Sequence, residues 1–264
     1  MRTIFLILAA FILVGCTPLN VKNTLKDVES YISERPDSAL AVLESMDRYD
    51  LKSRRSEAHH ALLHAMALDK NYIDVTDDSL ASVAVRYYQK HGSKKYLARS
   101  LYYKGLSYYY NKEYDKSIIE LYNAEPVAAI HDSLYLGFIK VLQANIVKTN
   151  YNSFEEITAL EKALEVYTSL KADYYINVAK LRLSQAYMAE EKYDDAEGLL
   201  TELISSDNLN SRLLAKSMGD YAFLMGTRPD ADYKTAVTYF EKTAEVEKTK
   251  ILDNGKKQSD MRYQ

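Results

Sequence analysis

His59, His60 and His64 crowd together beside Glu57. On a helix, Glu57, His60 and His64 would stand at i, i+3 and i+7, and two imidazoles one turn apart can ligate a metal. No third ligand is fixed by spacing and no HExxH occurs, so a partly exposed helix face is the simpler expectation and no metal is assigned. Asp74, Asp77, Asp78 and Ser79 are oxygen-rich, but their spacing is not that of a calcium loop; they fit a helix-capping loop. Walker A, GxSxG and GxGxxG patterns are absent. No catalytic constellation emerges and no cofactor is expected; the chain reads as a non-enzyme. The most distinctive chemistry is aromatic: 24 tyrosines and no tryptophan. Tyr87, Tyr88, Tyr102, Tyr103, Tyr108, Tyr109, Tyr110 and Tyr114 fall close together. Tyrosine offers rigid contact area and a hydroxyl at low entropic cost, which suits a binding surface.

The elements that would carry these residues are helical. In 264 residues there are only 8 glycines and 4 prolines, too few for a turn-rich sheet protein. With 34 Lys+Arg against 37 Asp+Glu, the net charge of −3 gives no pull towards nucleic acid. The single cysteine excludes an internal disulfide and multi-thiolate metal sites.

That cysteine has a telling position. Met1-Arg2-Thr3 is a short positive start, Ile4 to Val14 is unbroken apolar sequence, and Gly15-Cys16 follows. The run is too short to span a bilayer but matches a secretory signal. Leu13-Val14-Gly15-Cys16 resembles the lipobox of bacterial lipoproteins. The resemblance implies cleavage before Cys16, a diacylglycerol on its thiol and an acylated amino terminus, enough chains for stable anchoring. The expected order is a signal peptide at 1–15, a lipidated tether at 16–26, a repeat domain at 27–253 and a polar tail at 254–264. Thr17, where Asp would favour inner-membrane retention, leans towards the outer membrane facing the periplasm, with surface exposure open.

The body repeats itself. Residues 98–124 align with 177–203 at an offset of 79, which brings Gly105 onto Ser184, Tyr108 onto Tyr187, Tyr114 onto Tyr193, Ser117 onto Ala196 and Leu121 onto Leu200. Half of that offset recovers Ala65 and Ala144, so a small residue recurs at 65, 105, 144 and 184. This pattern resembles the tetratricopeptide repeat (TPR), although the period is near 40 instead of 34 and Lys104 stands where that family prefers Leu. The resemblance implies an all-α, right-handed superhelical solenoid of stacked antiparallel helix pairs, expected at 20–50, 53–92, 94–128, 131–171, 173–207 and 209–253. Ser153-x-x-Glu156 reads as a capping box opening the helix at 153–171. Tyr108 and Tyr114 are expected in the core between helices.

In TPR proteins the first helix of each pair lines a concave groove. Carried onto matching positions, this gives Arg99, Tyr102, Leu106, Tyr109 and Tyr110, then Phe138, Val141, Asn145 and Lys148, then Val178, Leu181, Arg182, Gln185 and Met188. Of these, Arg99, Tyr102, Leu106, Tyr109, Tyr110, Asn145, Lys148, Arg182 and Gln185 are the candidate partner-binding residues. The clamp with which chaperone-binding TPR domains hold a C-terminal carboxylate would fall on Tyr102, Leu106, Leu142, Val178 and Arg182; only Arg182 fits it. The leading expectation is a lipid-anchored envelope scaffold holding a peptide or partner protein. A sensory module signalling through another protein and a glycan-capture lipoprotein of the starch-utilisation type are alternatives. A barrel-assembly lipoprotein is a further one, but none of the four prolines follows Tyr as that family's repeats favour.

Overall fold

The computed structural model describes residues 21–260 apart from position 208. Cys16, the signal segment and the first part of the tether lie outside the described residues. The described chain forms twelve α-helices, one short 3-10 turn and no strand. They are α1 (Val21–Tyr31), α2 (Pro36–Ser45), α3 (Arg54–Lys70), α4 (Ser79–Tyr88), α5 (Lys94–Tyr110), α6 (Tyr114–His131), α7 (Ser133–Thr149), α8 (Ser153–Ser169), α9 (Asp173–Ala189), α10 (Tyr193–Ile204), α11 (Ser211–Thr227) and α12 (Tyr233–Asp260). Six antiparallel pairs result, one in each interval expected from the repeat.

Each helix packs on the next in sequence, and odd-numbered helices also approach one another from pair to pair: α1 and α3, α3 and α5, α5 and α7, and α9 and α11, with α7 and α9 joined through the Arg182–Asn145 bond. Among the described residues no comparable contact joins the even-numbered helices. A stack held close along one row and splayed along the other must curve, so α1, α3, α5, α7, α9 and α11 form the concave side.

The repeat has a packing cause. Ala65, Gly105, Ala144 and Ser184 are all buried. A Cβ on Gly105 would stand 3.1 Å from Leu121 Cδ2, so the small residue sets how closely α5 approaches α6. Twelve positions on from Gly105 and Ser184, Ser117 and Ala196 are buried too, as is Ala236 one unit further along, and Ser117 Oγ donates to the Gly105 carbonyl at 2.7 Å. Leu121, Leu160 and Leu200 are sealed from solvent, Leu121 directly against Gly105 of its own pair. Each such side chain contributes roughly 1.5–3 kcal/mol by burial.

The helix ends repeat as well. Tyr72, Lys112, Tyr151 and Glu191 all have left-handed backbone, with φ of 59°, 61°, 55° and 56°. Each follows a concave-side helix. The next residue's N–H reaches back to close the last turn, as in Ile73 to Leu68 O (3.0 Å) and Glu113 to Tyr108 O (2.8 Å).

Three differences from the sequence-based expectation have local causes. α1 starts at Val21, as the pair expected at 20–50 has it, and so takes in the last part of the segment expected as tether, because Leu25, Val28 and Ile32 form a buried stripe. α8 is capped by Asn152, whose side chain accepts from Glu155 N at 3.2 Å; Ser153 is already helical. Glu156 is therefore not the far half of a capping box. It is buried and pairs with Lys148. α12 runs on to Asp260, into the segment expected as a polar tail.

Candidate functional site

The concave helices bring the candidate residues into three neighbourhoods. In the first, Arg99 on α5 is already engaged. Its Nε lies 2.7 Å from Asp132 and its Nη1 3.6 Å from Glu29, and its guanidinium covers the Tyr135 ring at 4.9 Å. Tyr96 donates to Glu29 at 2.7 Å, and His59 Nε2 is 3.3 Å from the same carboxylate. Burial would raise the Glu29 pKa, but its bonds to His59 and Tyr96 outweigh that and hold it below the ordinary range. Arg99 thus ties α1, α5 and α7 together. His60 Nε2 lies 2.9 Å from the Leu43 carbonyl, and its ring meets His64 edge-on. Among the described residues no group of three His, Cys, Asp or Glu side chains is placed to hold a metal.

The second neighbourhood is aromatic. Tyr102 packs edge-on against Tyr103 and Tyr135, with centroids 5.0 and 5.4 Å apart, and Phe138 and Tyr175 extend the row. The hydroxyls of Tyr103 and Tyr135 are 3.1 Å apart. Asp69 lies beside this cluster, and burial raises its pKa above the carboxylate norm. Burial and the nearby Asp69 and Asp74 push Tyr110 up to about 12. Leu106 does not line the groove: it is buried beside a small cavity with Ala65, Asp69, Tyr103 and Tyr110. Leu181 is likewise buried in the core. Both are apolar side chains that turn inward, Leu106 against the preceding unit and Leu181 into the cluster formed with α10 and α11.

The third neighbourhood lies between α7 and α9. Arg182 Nη2 donates to Asn145 Oδ1. Lys148 Nζ reaches Glu156 Oε1 at 3.2 Å; the lysine is largely exposed and the glutamate is not. Gln185 Nε2 donates to Asp220 Oδ2 at 2.6 Å, joining α9 to α11. Desolvation lowers the Arg182 pKa, with Glu156, Tyr109 and Tyr167 close enough to oppose it. Tyr109 and Tyr110 are half-buried neighbours on α5, with rings 5.9 Å apart.

Tyr108 is not a core plug. It is partly exposed, and its hydroxyl donates to Asp78 Oδ2 at 3.0 Å at the start of α4. Tyr187 repeats the bond one repeat pair further on, to Glu161 at 2.9 Å. These phenols clip a concave-side helix to the preceding unit, a polar role that an aromatic packing rule does not anticipate. Tyr114 is half-buried and packs on Tyr109. Sequence reasoning gave Glu156 only a capping role and passed over Tyr167; both border the third neighbourhood. The signal for Glu156 was its alignment with Ser117 and Ala196, where a carboxylate is out of place.

No family model matches the chain. A 34-residue stretch, 13% of the chain, is 68% identical to part of an A-type ATP synthase protein of Methanobrevibacter smithii; the match spans 16% of that protein. Solved structures are similar along most of the chain. BtubC (BKLC) from P. vanneervenii aligns with TM-score 0.62 and 13% identity, over 88% of this chain and 90% of that one. The apo form of RapI aligns with TM-score 0.64 and 14% identity, over 86% of this chain and 64% of that one. A kinesin light chain of Podosopora anserina, described as having TPR-like repeats, aligns with TM-score 0.51 and 17% identity, over 70% and 93%. At such identities the likeness is one of fold: the chain has a TPR-like solenoid architecture.

Proposed function

We propose that this protein is a non-catalytic scaffold that holds a peptide or a segment of a partner protein along its concave face. The observation that carries the reading is the row of polar and aromatic side chains from α5, α7 and α9: Tyr109, Tyr110, Asn145, Arg182 and Gln185. A solenoid presents such a face as an extended surface, suited to a chain-like ligand. The reading includes a lipid anchor on Cys16 and a place in the bacterial envelope, at the outer membrane facing the periplasm. That part rests on the lipobox-like Leu13-Val14-Gly15-Cys16.

Two experiments test it. A photo-crosslinking residue placed at Tyr109 or Gln185 should capture an envelope protein, and one at Tyr122 on the outer face of α6 should not. Capture from Tyr122 alone would put the partner on the convex side and defeat the groove. Cys16→Ala should release the protein from membranes, so a variant that still sediments with lipid refutes the anchor.

A further inference from the structure

One point along the stack breaks the pattern of the repeat. The column of Arg182 holds Leu63, Tyr103, Leu142 and Ala222, all of them buried. The column of Asn145 holds Met66, Leu106 and Met225, also buried, with Gln185 as the other polar member. The column of Glu156 holds Ser117, Ala196 and Ala236, all buried, and Asp77, an exposed residue just before α4. Three polar side chains, one of them a cation and one an anion, thus occupy places that most of the other units give to the core. They meet at one point between α7, α8 and α9.

The charges there do not cancel. Among the described residues Glu156 has one ion-pair partner, Lys148, and Arg182 has none within 4.0 Å. One buried carboxylate faces two cations at this point, while Asp220, the next carboxylate along the groove, is bonded to Gln185 and has Lys216 beside it. The cluster's donors are also in excess. Arg182 spends one N–H on Asn145, which leaves most of its five N–H groups open. Asn145 accepts that bond on Oδ1, so its amide N–H groups are free to donate. Arg182 and Asn145 are half-buried, and none of these nitrogens is among the sealed, unpaired polar atoms of the described residues, so those without a protein partner keep contact with solvent. Tyr109 and Tyr167 lie near enough to act on the guanidinium's charge.

We propose that Arg182 and Asn145, with Lys148 beside them, form a subsite for a single carboxylate of the bound peptide, either a C-terminal group or an Asp or Glu side chain. A planar guanidinium fork matches two carboxylate oxygens, and in a desolvated setting such bonds are stronger than neutral ones. One excess positive charge suits a monoanion; a phosphate dianion would leave uncompensated negative charge at a half-buried place. Four of the five positions of the chaperone-type clamp are apolar or aromatic here, so this is a different arrangement. The assignment rests on the groove-scaffold reading and gives it a chemical preference.

The test is nuclear magnetic resonance on the full-length chain in detergent, labelled with 15N-arginine, the Arg182 Nε signal being assigned by its loss in Arg182→Lys. The probes are acetyl-Gly-Gly-Ala with a free carboxylate, the same peptide as its amide, and acetyl-Glu-amide. A saturable shift with the free tripeptide alone identifies a C-terminal carboxylate, one with acetyl-Glu-amide alone identifies an acidic side chain, and either supports the subsite. In Arg182→Met the affinity for the responding probe should fall about tenfold or more, and in Arg182→Lys by less, with both variants retaining the helical circular dichroism of the parent. No shift with any carboxylate, or an equal shift with sodium chloride alone, overturns the subsite. Should carboxylates shift Arg182 while the envelope partner crosslinks only to the convex face, the subsite stands and the scaffold reading falls. Should the partner crosslink at Tyr109 and Gln185 with Arg182 silent, the reverse holds.

Discussion

Gly137 on α7 gives a sharp test of how the pairs are held together. A Cβ built there would lie 2.2 Å from Tyr167 Cε1 and 2.7 Å from its Cζ, far inside van der Waals contact. The ring cannot easily move. Tyr167 is 2% exposed, and Phe138 and Tyr175 pack on it with centroids 6.2 and 5.3 Å away. Gly137→Ala should gain about 1 kcal/mol of helix propensity. Forcing a methyl into a close-packed aromatic cluster costs about 1–3 kcal/mol, and a 2.2 Å overlap belongs at or above the upper end. The net loss should be about 2 kcal/mol, or about 4–8 °C in the thermal midpoint for a chain of this size. Gly198 on α10 is the control, since a Cβ there meets nothing within 4 Å. Gly198→Ala should therefore stabilise by up to about 1 kcal/mol. Thermal melts followed by circular dichroism at 222 nm measure both. In a Tyr167→Leu background the ring is gone, and Gly137→Ala should lose most of its cost, a coupling that a double-mutant cycle reads directly. If Gly137→Ala raised the midpoint as Gly198→Ala does, α7 and α8 would not be packed through Tyr167, and the close approach inferred for the small-residue positions would lose its support.

Other outcomes follow from the helix ends and the buried charges. Lys112→Gly and Glu191→Gly relieve left-handed backbone at φ 61° and 56°, and each should stabilise by about 0.5–1 kcal/mol in the same melts. Asp69 has its pKa raised from 3.8 by burial, so the folded state is favoured while it is protonated and that advantage is lost as pH rises through the folded pKa. Asp69→Asn should therefore raise the urea midpoint at pH 7, with the gain vanishing below about pH 3.8; an equal gain at both ends of the range would rule out ionisation as the cause. Glu29 behaves oppositely. Its pKa is lowered from 4.5, so its contribution is present above that pH and is lost on acidification. Glu29→Gln should weaken the protein at pH 7, where Tyr96, His59 and Arg99 converge on the carboxylate, and the deficit should disappear as the parent is acidified.

What could be read from the residues alone follows from how strongly each feature is dictated by local sterics. The small residues at 65, 105, 144 and 184 announce the helix pairs because no large side chain fits where two axes approach closely. The concave-helix ends were harder to see. Their left-handed residues are Tyr72, Lys112, Tyr151 and Glu191, and none is glycine. The readable trace is the Asn before three of them, at 71, 111 and 150. Individual side-chain directions were harder still. Leu106 and Arg99 occupy groove positions by analogy, yet one turns into the core and the other is held by Glu29 and Asp132. Tyr108 matches a packing signature but spends its hydroxyl on Asp78. Each outcome depends on a partner in another unit, which spacing along the chain does not specify. Polar residues in otherwise apolar repeat columns are different, because the mismatch is visible in the aligned units themselves. Arg182 against Leu63, Tyr103, Leu142 and Ala222, and Glu156 against Ser117, Ala196 and Ala236, are such mismatches. Burial then gives them weight, since placing unlike charges at core positions costs stability that apolar residues would not. A repeat protein whose neighbouring units show the cheaper solution has a physical reason to keep the costlier one where it must meet something outside itself.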